Sequence, residues 1–209
     1  MPKGELYNDL HPENSLKNTG FKNLSTANNT IKLISKRSLR YQFDVINTMY
    51  NRAKYHPHIT DDMKKAMVVF KKWLKNYSKI KKLEDKKYPW LSLKTIAKYE
   101  KIAELYGVSE VARGLKKGTR TDEGFLKMYK KVGGKASKLQ YIPVWKKKPE
   151  GNDYYSYRIS FLNSRMGQIK HSKTPLYYTE GKYKGLPTKQ HIILIMHAYS
   201  PDKKIYKNL

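Results

Sequence analysis

Residues 63–83 read MKKAMVVFKKWLKNYSKIKKL, with eight lysines and no carboxylate. Met63, Met67, Phe70, Leu74 and Tyr77 recur at alternating spacings of four and three, the stripe of one buried helix face. At about 100° per residue, Lys64, Lys65, Lys71, Lys72, Lys75 and Lys79 cluster about 160° from that stripe. The stretch therefore predicts a two-faced helix, apolar inward and lysine outward. Thr60 and Asp61 offer the N-cap.

Upstream, Leu39, Phe43, Ile46, Tyr50 and Ala53 repeat the same phasing. Pro57 keeps His56 out of the helical region and ends that element. Two helices of equal phase joined by a short Pro loop predict an antiparallel hairpin. Downstream, Ser92 caps a third helix that runs through Tyr106, burying Ile96, Tyr99, Ala103 and Tyr106, and Gly107 stops it. Thr121-Asp122-Glu123 opens a fourth with Phe125, Met128, Tyr129 and Val132 inward, closed by Gly133-Gly134.

Residues 140–153 read as a linker or irregular crossing. In 154–170 the alternation of Tyr155, Tyr157, Ile159 and Phe161 fits a strand, while Ile159, Leu162, Met166 and Ile169 fit a helix slightly better, with Arg158 and Arg165 outward. Pro187 begins a buried closing helix around IILIM, and residues 202–209 form a basic tail. Residues 1–36, rich in Asn, Ser and Lys, have little periodicity and read as an extended or disordered arm that orders on a partner. The expected fold is thus mainly α: a small helical bundle with irregular loops and an extended N-terminal arm. Its parts are the arm (1–36), a helical domain (37–139), the linker (140–153) and a C-terminal helical or irregular segment (154–209) packed on that domain.

Charge narrows the function. The 209 residues carry a net charge of +27. About +13 falls in 1–123 and +14 in 124–209, so the whole body is basic rather than one tail. Such a chain repels itself in isolation and suits a polyanionic partner: nucleic acid, an anionic membrane surface or an acidic protein surface. The absence of cysteine excludes a disulfide scaffold, a zinc–cysteine site and a thiol nucleophile. The N-terminus has no apolar signal region, and the longest apolar run, residues 192–196, is too short to span a bilayer. Secretion is not expected.

A lysine-only helix face neutralises phosphates without reading sequence; the plain alternative is a solvated face. KIAELYGVSEVARGL, residues 101–115, resembles a helix-turn-helix signature through Ala103, Gly107, Val108 and Ser109. It departs at Arg113, where an apolar residue is expected, and Gly114 cuts the second helix short. Arg113, Lys116 and Lys117 would be its DNA-facing cations, and Arg158 and Arg165 join them as further binding candidates. HPH at 56–58 beside Asp61 and Asp62 is better explained by turn chemistry than by a metal. The other paired acids sit at helix starts or turns, and no phosphate loop or nucleophile elbow is present, so no catalytic residue and no cofactor are expected. A nuclease using scattered acids is the enzyme alternative. Tyr141, Trp145, Tyr154, Tyr155, Tyr157, Tyr177, Tyr178 and Tyr183 interleave with Lys and Arg, a combination that serves base stacking or a protein interface.

Four segments carry a resemblance: AKYEKIAELYGVSEVARG (97–114), DEGFLKMYKKVGGKASKL (122–139), SFLNSRMGQIKHS (160–172) and KGLPTKQHIILIMHAYSP (184–201). Over 94–201 the chain resembles small basic virion-type proteins of large double-stranded DNA viruses. That resemblance implies a structural role as a minor capsid or inner virion protein in a multi-protein assembly. The implied partners are capsid subunits with acidic surfaces, packaged double-stranded DNA, or both. Location would be the virion, or otherwise the cytoplasm or nucleus. A helix-turn-helix DNA-binding protein is the runner-up.

Overall fold

Pro57 separates two helices. α2 (Leu39–Lys54) ends just before it and α3 (Asp61–Asp85) starts just after. Both pack against a helix upstream, α1 (Leu24–Ile34). In the computed structural model, residues 16–85, 87–108, 124–145 and 150–207 are described. Ala27 and Ile34 of α1, Ile46 of α2, and Ala66 and Phe70 of α3 make one buried core. The equal phase of α2 and α3 does create the expected helical pair.

α1 corrects the extent of the N-terminal arm, because Leu24–Ile34 of the expected 1–36 is a packed helix. Asn23 caps it, accepting from Thr26 N–H at 2.9 Å. Ala27, Thr30 and Ile34 then fall on one face and are buried. The Thr30 hydroxyl also accepts from Gly20 N–H at 2.8 Å, folding the preceding residues back onto the helix. Residues 1–15 lie outside the residues described.

The second half is built on α4 (Leu93–Leu105), α5 (Phe125–Lys131), α6 (Ala136–Leu139), α7 (Tyr154–Ser172), α8 (Lys189–Met196) and α9 (Lys204–Lys207). Ser92 caps α4 by accepting from Thr95 N–H at 3.1 Å. Gly107 at φ 60° ends that helix in the left-handed region, which glycine adopts without a Cβ clash. α8 is the closing helix: Thr188 caps it and His191 through Met196 are all buried. It packs on α4. Phe125, Tyr129, Leu139, Val144 and Tyr154 complete the core around the two helices.

Residues 154–172 are helical, and Ile159, Leu162, Met166 and Ile169 pack in one cluster with Tyr88, Leu194 and Tyr199. The helical phase wins over the alternation because Asp153 caps the segment through a reciprocal box with Ser156. Among the described residues there is no strand. Two isolated bridges, Pro143 with Asp153 and Tyr177 with Pro187, tie off loops. The first brings the two described ends of the 140–153 segment together, with Pro143 and Val144 buried, while residues 146–149 lie outside the residues described. The expected C-terminal tail is docked instead: Ile205 is buried, and the Tyr206 hydroxyl accepts from Ser200 N–H at 3.0 Å.

The two halves are pinned at Asp153. Its Oδ2 accepts from Ser38 N–H at 2.6 Å and from Arg37 Nε at 3.3 Å. Its Oδ1 accepts from Ser156 N–H at 2.7 Å. The same residue thus starts α7 and fixes the entry to α2. Burial pushes the Asp153 carboxyl up, opposed by the Ser156 and Ser38 donors and the Arg37 charge.

Candidate nucleic-acid interface

α3 is oriented by its buried side. Phe70 and Tyr77 are buried, with Phe43 of α2 stacked on Tyr77 at a ring-centroid separation of 4.3 Å. Trp73 stacks on Tyr77 from within the helix. With that side held against α1 and α2, the opposite side faces water. Lys64, Lys65, Lys71, Lys72, Lys75 and Lys79 are all exposed. Lys71, Lys75, Lys79 and Lys72 span an arc of about 100°, and the whole row from Lys64 to Lys79 is about 22 Å long. Val68 lies among them and is 67% exposed.

The row is not uniform. At its N-terminal end Lys64 bonds Asp61 at 2.8 Å and Lys65 bonds Asp62 at 2.9 Å. These acids precede the lysine stretch and occupy the first turn, where the helix dipole favours them. The Lys64 ammonium holds the Asp61 carboxyl below its usual range. Both pairs are open to solvent, so a phosphate can exchange for either carboxylate. No ion pair to Lys71, Lys72, Lys75 or Lys79 is formed among the described residues. The density of uncompensated charge is therefore highest in the middle of α3.

The remaining candidates do not join this face. Arg158 is the main correction: it is 0% exposed, not outward. Its Nε donates to His197 O at 2.8 Å, and its Nη2 donates to Pro89 O and Ala198 O at 3.0 Å. Nη1 reaches Tyr88 O at 3.3 Å. The guanidinium lies 3.7 Å over the Trp90 ring. Burial lowers its pKa to about 10, which leaves it charged at neutral pH. It joins the end of α8 to the segment before α4 and cannot meet a phosphate. Arg165 is half-buried over Phe161 and bonds Gln168 at 3.1 Å. Arg113, Lys116 and Lys117, with the second half of the helix-turn-helix resemblance, lie outside the residues described.

The histidines are engaged locally. His56 stacks edge-on against Phe21 and accepts from His58 N–H at 3.1 Å, while Asp61 and Asp62 hold lysines. His191 is buried between Leu176 O at 3.1 Å and Ser200 Oγ at 2.8 Å. His197 stacks on Phe161 with centroids 3.7 Å apart. Among the described residues no group of three or more metal-ligating side chains converges. No helix there is long and apolar enough to cross a membrane. Of the interleaved aromatics, Tyr154 is buried and Tyr177 donates to Asp202 at 2.6 Å. Tyr178 and Tyr183 pack against Tyr106, whereas Tyr141 remains 48% exposed. The chain matches no protein-family model and no curated protein.

Proposed function

We propose that this is a non-enzymatic structural protein that lays the outer face of α3 on a polyanion, duplex DNA before any other. In that reading it bridges packaged DNA or capsid subunits as a minor capsid or inner virion protein of a large DNA virus. The observation that carries it is the exposed set Lys71, Lys72, Lys75 and Lys79, opposite the buried side of a long helix. Lysine ammoniums are point charges on flexible stems, suited to phosphates in any sequence and poorly suited to bidentate base reading. The general excess of +27 adds attraction at longer range.

The test is binding to random-sequence duplex DNA across salt concentrations. Four phosphate contacts should lower affinity about a hundredfold between about 50 and 200 mM salt, with no preference among sequences. Replacing Lys71, Lys72, Lys75 and Lys79 by Gln should flatten that dependence, reducing the log–log slope by about 3–4. An unchanged slope in the quadruple variant overturns the assignment to α3. Weak binding by the wild-type chain even at low salt redirects the charge to an acidic capsid surface.

A further inference from the structure

We propose that the seam between the two halves is a nucleotide-binding site, taking a heteroaromatic base and its phosphate. A cavity of about 590 Å³ opens there, bounded by the start of α2, the C-terminal part of α3, α6 and the start of α7. This volume is in the range, about 300–1,000 Å³, of cavities that hold small organic molecules. Its wall is chemically selective. Arg40, Lys81 and Lys138 supply three cations, and Tyr77, Tyr141 and Tyr155 supply rings. No carboxylate lines it among the described residues.

The rings and cations differ in how far their present partners hold them, and the Lys81 ammonium lies 6.0 Å from the Tyr77 ring. Tyr77 already stacks with Phe43 and Trp73, and Arg40 is paired with Asp44 at 3.1 Å. Tyr141 is different: its hydroxyl donates to Asp44 at 2.7 Å, fixing the side chain, while nearly half of the residue stays exposed. Tyr41 meets the Tyr141 ring edge-on, with centroids 6.3 Å apart, and a ring so held and still half open to water can serve as a stacking platform. Tyr155, half-buried, continues the aromatic wall toward Trp90. Lys81 and Lys138, both exposed at the rim, are placed for the phosphate. The Tyr77 hydroxyl is buried beside Arg40, so Tyr77 offers the cavity its ring edge rather than a free polar group.

Other ligand classes fit less well. An apolar molecule gains nothing from Lys81 and Lys138, and inorganic phosphate alone does not use the rings. A base joined to a phosphate uses both, as aromatic platforms beside charged grooves do. The site is on the inner side of α3, separate from its outer lysine face, and does not depend on the function proposed for that face.

Calorimetric titration of the full chain with adenosine monophosphate tests this. Saturable 1:1 binding is expected, with adenosine and ribose 5-phosphate each weaker by about tenfold. Tyr141→Ala and Lys138→Gln should each weaken binding by about fivefold or more, whereas Tyr141→Phe, which keeps the ring but loses its anchor on Asp44, should weaken it by about twofold or less. Lys138 is exposed on α6, so its variant serves even if the Tyr141→Ala chain does not fold. The quadruple α3 lysine variant should bind the nucleotide as wild type does, which separates failure of this site from failure of the outer face. A 5′-phosphorylated single-stranded tetranucleotide distinguishes sources. Binding about tenfold tighter than the mononucleotide assigns an unpaired strand end, and equal binding assigns a free nucleotide. No saturation by about 10 mM nucleotide, equal affinity for inorganic phosphate, or indifference to both Tyr141→Ala and Lys138→Gln overturns the proposal.

Discussion

α3 and α7 both carry cations at helical spacing among apolar residues, and the structure uses them in opposite ways. On α3 the lysines ring the solvent side and touch little beyond two aspartates of their own first turn. On α7 Arg158 is sealed in the interior, where four backbone carbonyls and the Trp90 ring surround it. The difference is one of chemistry as well as place. A guanidinium presents a planar fork of donors, is weakly hydrated and can be desolvated against carbonyls and an aromatic face. An ammonium is strongly hydrated and remains at the surface on a flexible stem. One cation thus binds the fold together, and the other set is left for a partner.

The comparison is most directly broken at Arg158. Arg158→Ala takes a donor from the carbonyls of Tyr88, Pro89, His197 and Ala198, of which Ala198 keeps Leu91 N–H and Pro89 keeps the Tyr206 hydroxyl. It also removes the guanidinium packed on Trp90, so it should cost about 3–4 kcal/mol in chemical denaturation. Arg158→Lys should recover only part, since an ammonium cannot reproduce the fork. A loss below about 1 kcal/mol for the Ala variant would mean that the buried cation is not a structural element.

Next in size is Asp153, which tests whether the seam resembles the Arg158 site in being structural. Asp153→Ala removes the α7 cap and leaves Arg37 buried without its carboxylate, so a loss of about 3 kcal/mol is expected. Urea unfolding followed at both halves should then show the two transitions moving apart, because the seam keeps only weaker links such as Tyr141 to Asp44 and Arg37 to Gln140 O.

A smaller effect is expected from pH. Burial lowers the pKa of His191 from its ordinary value of 6.5. The unfolded chain then binds this proton first as pH falls, so its contribution to stability is complete above about 6.5 and is lost below it. Asp153, whose carboxyl is pushed up, works in the opposite sense at more acidic pH. Melting temperature should therefore fall from about pH 7.5 toward 5, and His191→Gln should flatten that part of the curve. An unchanged slope in the variant would assign the pH dependence elsewhere.

The smallest effect on stability belongs to the outer lysines. Replacing Lys71, Lys72, Lys75 and Lys79 by Gln should leave the chain as stable as before, or raise stability by about 0.5 kcal/mol through relief of lysine repulsion. A large loss of stability would mean that these side chains also hold the fold, and the contrast with Arg158 would dissolve.

The α3 face was legible because both of its determinants are local: the phase of Met67, Phe70, Leu74 and Tyr77, and the absence of acids from the outer side. The ends of α4 and α5 were legible for the same reason, since a Ser cap and left-handed glycines act within one turn. Arg158 shows where type misled phase. It lies four residues before Leu162, on the same face, so its spacing already pointed inward. Its charge argued the other way, and only the convergence of Tyr88, Pro89, His197 and Ala198, distant along the chain, overrules charge. α1 was missed because Asn and Thr dominate its sequence, although Ala27, Thr30 and Ile34 keep the helical period.

By itself, then, the amino-acid sequence determined the helical class, the two-faced character of α3, the helix stops and the basic excess, all of which follow from periodicity, capping and charge within short range. Tertiary structure decided which cations face water, what Asp153 joins, how the last residues dock and where Tyr141 stands beside Lys81 and Lys138. Those outcomes depend on burial and on partners up to about a hundred residues apart, where desolvation and hydrogen bonding outweigh local preference.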